Sequence, residues 1–283
     1  MHIVITDSGV GGVSVVAYAE RFVRTAGFTE PVRLTFANAA PANDYGYNAM
    51  PSRAAKLETF DRFLRNVTRR FSPDLIYVAC NTLSVLLPDT PYFARRSIPV
   101  KGIIETGVAL LLQQLEDPAA IAMVFGTQTT IDAGVYPHLL EERGIDAARI
   151  VSQACPGLAD TISEDREGTK TRAEVGRWVE TAVAKLPRRD ARIVACLACT
   201  HYGYRKDFFE AALGGNAIVI DPNESAAGDL FARGGTNHDV DVDFITRYAL
   251  PEATVETLTW LLRDISPRTV DAMQHFEHVP DLF

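Results

Sequence analysis

Short apolar runs alternate with longer amphipathic stretches along most of the chain, and this alternation constrains the fold most. The runs are nearly continuous Val, Ile, Ala and Leu, which is typical of strands buried on both faces of a parallel sheet. The predicted strands are residues 2–7, 32–38, 75–81, 100–105, 120–126, 149–154, 192–199 and 217–221. The helical patterns between them include residues 52–70, 172–186 and 206–213. We therefore predict an α/β fold with mostly parallel sheets.

The domain organisation is predicted from breaks in this pattern. A turn-rich stretch at residues 91–99 precedes the fourth strand, and a second break follows Gly203. We expect a first domain formed by residues 1–98 and 205–283, and a second formed by residues 99–204. Residues 240–245 are predicted to add an edge strand, and residues 253–265 a closing helix. The last dozen residues, with His275 and His278, are predicted to be a surface tail.

Composition excludes several classes of protein. The formal net charge is −8, which is opposite to the basic character of a nucleic-acid-binding protein. No apolar run approaches the 18 or more residues that a membrane span needs. The amino terminus lacks the pattern of a signal peptide, and four cysteines are too few for a disulfide framework in a chain of this size. We expect a cytoplasmic protein that binds neither nucleic acid nor membrane.

Two cysteines occupy equivalent places in the pattern. Cys80 and Cys199 each follow an apolar strand, and each is followed by hydroxyl, amide or imidazole side chains. Ligands bind at the carboxyl ends of strands in open parallel sheets, and a thiol there can be activated by a neighbouring group. The alternative is that each cysteine is a small core residue. Cys155 lacks such neighbours and is predicted to be structural.

A redox or metal role for the cysteines has less support in the sequence. Cys196 and Cys199 have the spacing of a redox or zinc pair. A zinc site would need two further ligands that the sequence does not offer. Side chains three residues apart on a strand also point to opposite faces. We predict no metal site.

Three further segments suit a ligand that carries charge. Asp7 ends the first strand, and Ser8 and a glycine cluster lead into a helix. That cluster lacks the spacing of a dinucleotide-binding loop. Thr127 and Thr129 lie where the fifth strand passes into a helix, and such a helix start can bind a carboxylate or phosphate or simply be capped. The loop at Tyr45 indicates only a turn by itself.

Together these segments resemble the glutamate racemase family, within the aspartate/glutamate racemase superfamily. The matching stretches are residues 7–12, 45–46, 79–82, 126–127 and 199–202. The resemblance implies two facing α/β domains with the active site in the cleft between them, and a possible homodimer. It implies racemisation of glutamate without a cofactor, supplying D-glutamate for peptidoglycan.

The resemblance also implies roles for individual residues. Cys80 and Cys199 would be the paired acid/base thiols, Cys80 acting on the D-enantiomer and Cys199 on the L-enantiomer. Asp7 and His201 would tune and orient the thiols. The substrate-binding residues implied are Asp7 and Ser8 for the ammonium, the backbone of Tyr45 and Gly46 for a carboxylate, and Asn81, Thr82, Thr127, Thr129, Thr200 and His201 around the pocket.

Some positions differ from the family pattern. Asp44 stands where the family usually has proline, Asn38 lies where the family has an Asp-Thr-Ala segment, and Ser163 occupies the place of a glutamate. These departures bear on the side-chain pocket. Two alternatives therefore remain: racemisation of aspartate or another substrate of the superfamily, and a non-catalytic solute-binding relative.

Overall fold

A computed structural model describes residues 1–43, 45–188, 191–231 and 234–283. The chain forms two compact units. The first consists of Met1–Ile103 and Asn223–Phe283, and the second of Ile104–Pro222. Each unit is an α/β domain built on its own sheet, as the alternation of strands and helices predicted.

The strands and helices follow one another along the chain with few long connections. The strands are β1 (His2–Asp7), β2 (Val32–Asn38), β3 (Leu75–Val78), β4 (Val100–Gly102), β5 (Ile121–Gly126), β6 (Ile150–Ala154), β7 (Ile193–Ala198), β8 (Ala217–Ile220), β9 (Val240–Thr246) and β10 (Glu277–His278). The helices are α1 (Val13–Ala26), α2 (Arg53–Phe71), α3 (Asn81–Ser84), α4 (Pro91–Arg95), α5 (Ile104–Gln114), α6 (Gln128–Asp132), α7 (Val135–Glu142), α8 (Leu158–Glu164), α9 (Thr169–Val183), α10 (Thr200–Gly203), α11 (Lys206–Leu213), α12 (Pro222–Gly228), α13 (Glu252–Leu262) and α14 (Pro267–Gln274). Short 3-10 helices lie at Tyr47–Ala49, Leu87–Asp89 and Ala147–Arg149.

The sheet of the first unit has the strand order β10-β9-β2-β1-β3-β4, and each pair is parallel. β1 is central and its residues from Ile3 onward are buried. The chain passes from β1 to β2 on one side and then returns to β3 on the other. The crevice between the carboxyl ends of β1 and β3 is therefore a topological switch point, where ligands bind in such sheets.

The sheet of the second unit has the order β6-β5-β7-β8 and is likewise parallel. The chain passes from β5 to β6, then returns across β5 to β7. The switch point of this sheet lies between β5 and β7. Within each unit, the strand that precedes a motif cysteine borders the switch point.

Several predicted strands end earlier in the structure. The third and fourth strands stop at Val78 and Gly102, because helices begin at Asn81 and Ile104. Residues 205–222, which the sequence assigned to the first domain, lie in the second unit. The reason is that β8 pairs with β7 along four residues, from Ile193 opposite Ala217 onward.

The carboxyl-terminal segment also differs from the prediction. β9 lies between β2 and β10 and is not an edge strand of the sheet. The last dozen residues are not a surface tail, because Val279 and Leu282 are buried and β10 extends the sheet. Packing of these two apolar side chains holds the chain end against the rest of the first unit.

No helix among the described residues is long and apolar enough to cross a membrane.

Candidate active site

The carboxyl edge of the first sheet brings the predicted residues of the first unit together. Asp7 is the last residue of β1 and lies in register with Asn38 on β2. The amide of Ala79 donates to the carbonyl of Thr6, so the segment after β3 runs beside the end of β1. Cys80 and Asp7 therefore flank the switch point of this sheet.

Cys80 is the N-cap of α3 and is almost fully buried. Its Sγ accepts from the amide of Leu83 at 3.4 Å and lies 3.0 Å from the hydroxyl of Ser8. Burial first, and then the charge of Asp7, raise the pKa of the Cys80 thiol to about 12, although the contacts with Ser8 and Leu83 act to lower it. A pKa this high favours the protonated thiol at neutral pH.

Gly12 explains how Asp7 is held. It precedes α1, and a Cβ atom at this position would lie 2.8 Å from the Cβ of Asp7 and 3.1 Å from that of Ala79. Only glycine permits this close approach. The glycine cluster therefore brings the start of α1 against Asp7, which is itself 1% exposed.

The loop after β2 carries Tyr45 and Gly46, and these residues are less buried than Asp7 and Cys80. The side chain of Tyr45 is exposed, and Gly46 is the N-cap of a 3-10 helix. Asp44 lies outside the described residues. Asn38 is buried, and its amide is occupied by contacts with the hydroxyl of Tyr248 at 3.3 Å and the amide of Ala40 at 2.9 Å. These hydrogen bonds of Asn38 thus hold the start of the loop in place.

Tyr47 is a residue that sequence reasoning missed. Its side chain is 1% exposed, and no hydrogen-bond partner for its hydroxyl occurs in the part of the chain described. Burial raises the pKa of Tyr47 well above its usual value, and charge on Cys80 raises it further. A tyrosine after a glycine in a polar loop carries no sequence signal of such burial.

Asn81 and Thr82 complete the set in the first unit. They form the start of α3 directly after Cys80, and both side chains are 2% exposed. The predicted residues of this unit thus converge on one edge of one sheet, except that the side chain of Tyr45 is exposed.

The second unit repeats this placement at the carboxyl edge of its own sheet. Gly126 ends β5 and is in register with Ala198, which ends β7. Thr127 and Cys199 follow these two residues directly. The threonine motif and the second cysteine are therefore neighbours at the switch point of the second sheet.

Cys199 is the N-cap of α10 and is 6% exposed. Its Sγ lies 3.9 Å from Nδ1 of the half-buried His201. An imidazole at this position can accept or return the thiol proton. Thr200, the next residue, is buried at the start of the same helix.

Thr127 caps α6, and its hydroxyl accepts from the amide of Thr130 at 3.3 Å. The hydroxyls of Thr127 and Thr130 are 3.0 Å apart. Thr129 is buried on the same short helix. Thr127 therefore caps α6, which is one of the two roles that the sequence allowed for this segment.

The remaining two cysteines lie in the core and outside the predicted site. Cys155 and Cys196 are buried free thiols. Burial raises the pKa of each to about 12. The hydroxyl of Tyr202 donates to the carbonyl of Cys155 at 3.2 Å, which ties this segment into the core.

Ser163, at the place where the family has glutamate, does not offer a free polar group. It is buried in α8, and its hydroxyl donates to the carbonyl of Ala159 at 3.1 Å. That is an intrahelical bond of the kind serine commonly makes. The serine is therefore part of the helix rather than a replacement for a carboxylate.

Comparison with known proteins identifies the family. A family model described as Asp/Glu/Hydantoin racemase matches residues 9–230. The chain is 28% identical over 277 residues to a glutamate racemase of Chlorobaculum tepidum, covering 92% of this chain and 89% of that protein. It is 30% identical over 231 residues to a glutamate racemase of Chlorobium phaeobacteroides, covering 79% and 76%.

The fold agrees with solved structures. The crystal structure of glutamate racemase from Francisella tularensis in complex with D-glutamate has a TM-score of 0.74 at 20% identity, covering 98% of this chain and 96% of that one. Glutamate racemase from Aquifex pyrophilus has a TM-score of 0.66 at 25% identity, covering 95% and 96%.

The two parallel sheets and their cysteine-bearing edges thus define a two-domain α/β protein of the racemase type. The chain belongs to the Asp/Glu/hydantoin racemase family, a family of isomerases. The resemblance in the motifs is confirmed at this level.

Proposed function

We propose that this protein is a cofactor-independent glutamate racemase in which Cys80 and Cys199 are the two acid/base groups. The observation that carries the proposal is that both thiols occupy the same position at a switch point, each at the start of a short helix. The relatives named as glutamate racemases support the choice of substrate.

The reaction follows from the chemistry of the α-carbon. One cysteine, as thiolate, takes the α-proton and becomes a thiol, and the electron pair passes to the α-carbon and its carboxylate. The other cysteine, as thiol, returns a proton to the opposite face and becomes a thiolate. The number of protons is conserved, and the enzyme ends ready for the reverse reaction. Fixed hydrogen-bond donors to the α-carboxylate would stabilise the charge that develops.

The neighbours of each thiol suit this cycle. Ser8 contacts Cys80 and can follow its change between thiol and thiolate, since a hydroxyl both donates and accepts. His201 offers Cys199 an imidazole nitrogen, a group that can either accept or donate a proton. Asp7 is proposed to hold the substrate ammonium, and its charge would then be neutralised when substrate binds.

A cytoplasmic racemase of this kind would supply D-glutamate for peptidoglycan. The test is α-proton exchange in heavy water, followed by NMR with L- and D-glutamate and a panel of neutral and acidic amino acids. We expect exchange and racemisation of glutamate without added cofactor. Faster exchange of aspartate or of a neutral amino acid would show that glutamate is not the preferred substrate. No exchange with any of them would support a solute-binding protein.

A further inference from the structure

The first unit carries a surface pocket lined largely by arginines, although the chain as a whole is acidic. Its volume is about 470 Å³. Five arginines line it, and we call it the arginine pocket: Arg62, Arg65, Arg69, Arg95 and Arg96. The whole protein has a net charge of −8, so this concentration of positive charge runs against the overall balance.

Helix geometry produces one side of the pocket. Arg62, Arg65 and Arg69 are separated by three and four residues on α2, a spacing that places them on one face. Like charges at this spacing repel, so they do not stabilise the helix. Attraction of a cation to the carboxyl end of the helix dipole accounts for Arg69 alone, in the last turn.

The opposite side is held firmly against α2. The amide of Tyr92, in α4, donates to the carboxylate of Asp61 at 2.5 Å. The hydroxyls of Tyr92 and Thr68 are 2.6 Å apart. These two bonds anchor α4, which carries Arg95 and is followed directly by Arg96. The guanidinium groups on both sides of the pocket are therefore attached to backbone that is held in place.

The positive charge is only partly neutralised within the protein. Arg65 pairs with Asp61 at 2.7 Å, and Arg62 lies 3.9 Å from the exposed Glu58. Within the described residues, the other three arginines make no ion pair with a carboxylate. Arg69 donates to the Asn66 side chain, and Arg96 donates to the carbonyl of Phe93 and stacks on its ring.

We propose that the arginine pocket binds a small anion that carries two or more phosphate groups. Guanidinium groups match phosphate oxygens in a bidentate geometry. The pocket volume lies within the usual range for small-molecule sites, about 300–1,000 Å³, and its arginines come from both α2 and the α4 segment, so one phosphate group can pair with each side. The negative net charge of the chain disfavours a long nucleic acid.

The test is isothermal titration calorimetry of the full chain with inorganic pyrophosphate and tripolyphosphate in 50 mM salt. The most informative variant is Arg95→Gln, because the side chain of Arg95 makes no hydrogen bond or ion pair within the described residues. The matched control is Arg21→Gln, which breaks an ion pair with Glu224 outside the pocket. Circular dichroism of each variant verifies the fold.

We expect saturable one-to-one binding that Arg95→Gln weakens at least about tenfold, the loss of one charge-assisted hydrogen bond, and that the control leaves unchanged. Absence of binding would overturn the proposal, as would equal weakening by both variants. Equal affinity for sulfate would show that the pocket does not select a polyphosphate. Tighter binding of a 20-nucleotide RNA through Arg95 would assign the pocket to nucleic acid. None of these outcomes depends on racemase activity.

Discussion

The surroundings of Cys80 and Cys199 differ although their positions correspond. Each thiol follows a strand at a switch point and caps a short helix. Cys80 contacts the hydroxyl of Ser8, and burial together with the charge of Asp7 raises its pKa to about 12. Cys199 has an imidazole nitrogen 3.9 Å from its sulfur.

The position of each thiol and its acid–base partners are therefore set by different parts of the structure. The strand end and the short helix set where each thiol lies, and the same arrangement serves in both units. The acid–base partners come from other segments in the first unit and from the next turn in the second. In the proposed reaction, Cys80 is the thiol with a hydroxyl neighbour and a raised pKa, and Cys199 is the thiol with an imidazole neighbour.

The largest effect is expected from removing either thiol. Cys80→Ala and Cys199→Ala should each lower racemisation by about 10³-fold, within the range for general acid–base groups. Cys80→Ala should keep slow α-proton exchange with L-glutamate only, and Cys199→Ala with D-glutamate only. Exchange in heavy water measures both. Cys155→Ala, the buried control, should retain activity; loss of activity in that variant would contradict the assignment.

Asp7→Asn should have the next largest effect. The two side chains have similar shape, so the unfolding temperature should change little, while turnover falls by about 100-fold because the proposed ammonium contact loses its charge. The charge of Asp7 also raises the pKa of Cys80. Alkylation of Cys80 by iodoacetamide at pH 8.5 should therefore be faster in Asp7→Asn. An unchanged turnover with a collapsed unfolding temperature would make Asp7 structural.

The partners of the two thiols can be tested as a pair. Ser8→Ala removes a contact that lowers the pKa of Cys80, and His201→Gln removes the imidazole beside Cys199. Each should reduce turnover by about tenfold, and each should alter the pH profile of exchange for one enantiomer more than for the other. Identical profiles for both variants would contradict the proposed difference between the thiols.

Alkaline pH should destabilise the protein through its buried thiols. The pKa of Cys80, Cys155 and Cys196 is raised to about 12 in the folded state, above the value near 9 of an exposed thiol. Between these values the folded state binds more protons than the unfolded state, so the free energy of unfolding falls as pH rises. Thermal unfolding from pH 7 to 11 measures this, and Cys196→Ala should reduce the slope.

The smallest effect compares two buried tyrosines. Tyr47→Phe removes a hydroxyl without a hydrogen-bond partner in the described structure and should raise the free energy of unfolding by about 1 kcal/mol. Tyr202→Phe removes a hydroxyl that donates to the carbonyls of Gly126 and Cys155 and should lower it by about 1–2 kcal/mol. Urea unfolding measures both. Destabilisation by Tyr47→Phe would show that the hydroxyl of Tyr47 makes a hydrogen bond in solution.

Local sequence patterns predicted much of the fold. The bounds of β1, β2 and α11 agree with the prediction, because an unbroken apolar run or an amphipathic period ends at clear polar or glycine residues. The placement of Cys80 and Cys199 after strands was predicted for the same reason. Errors of one to three residues arose where a cysteine or isoleucine could extend a strand or begin a helix.

Features that join distant segments were not predictable. The pairing of β9 with β10 and the burial of Leu282 depend on residues that lie more than 30 positions apart. The burial of Tyr47 depends on its packing beside Phe60 on α2, with ring centroids 6.3 Å apart. A single sequence carries no record of such partners.

The sequence by itself determined the α/β class and the two cysteine-bearing strand ends, because backbone periodicity and local polarity are short-range properties. The tertiary structure alone decided the strand order, and so placed Asp7 and Thr127 beside their cysteines at the two switch points. It also decided that Asn38 and Ser163 are occupied by protein contacts. The physical reason is that strand order, burial and hydrogen-bond partners depend on which distant surfaces pack together. The chain adopts the packing that minimises the free energy of the whole domain.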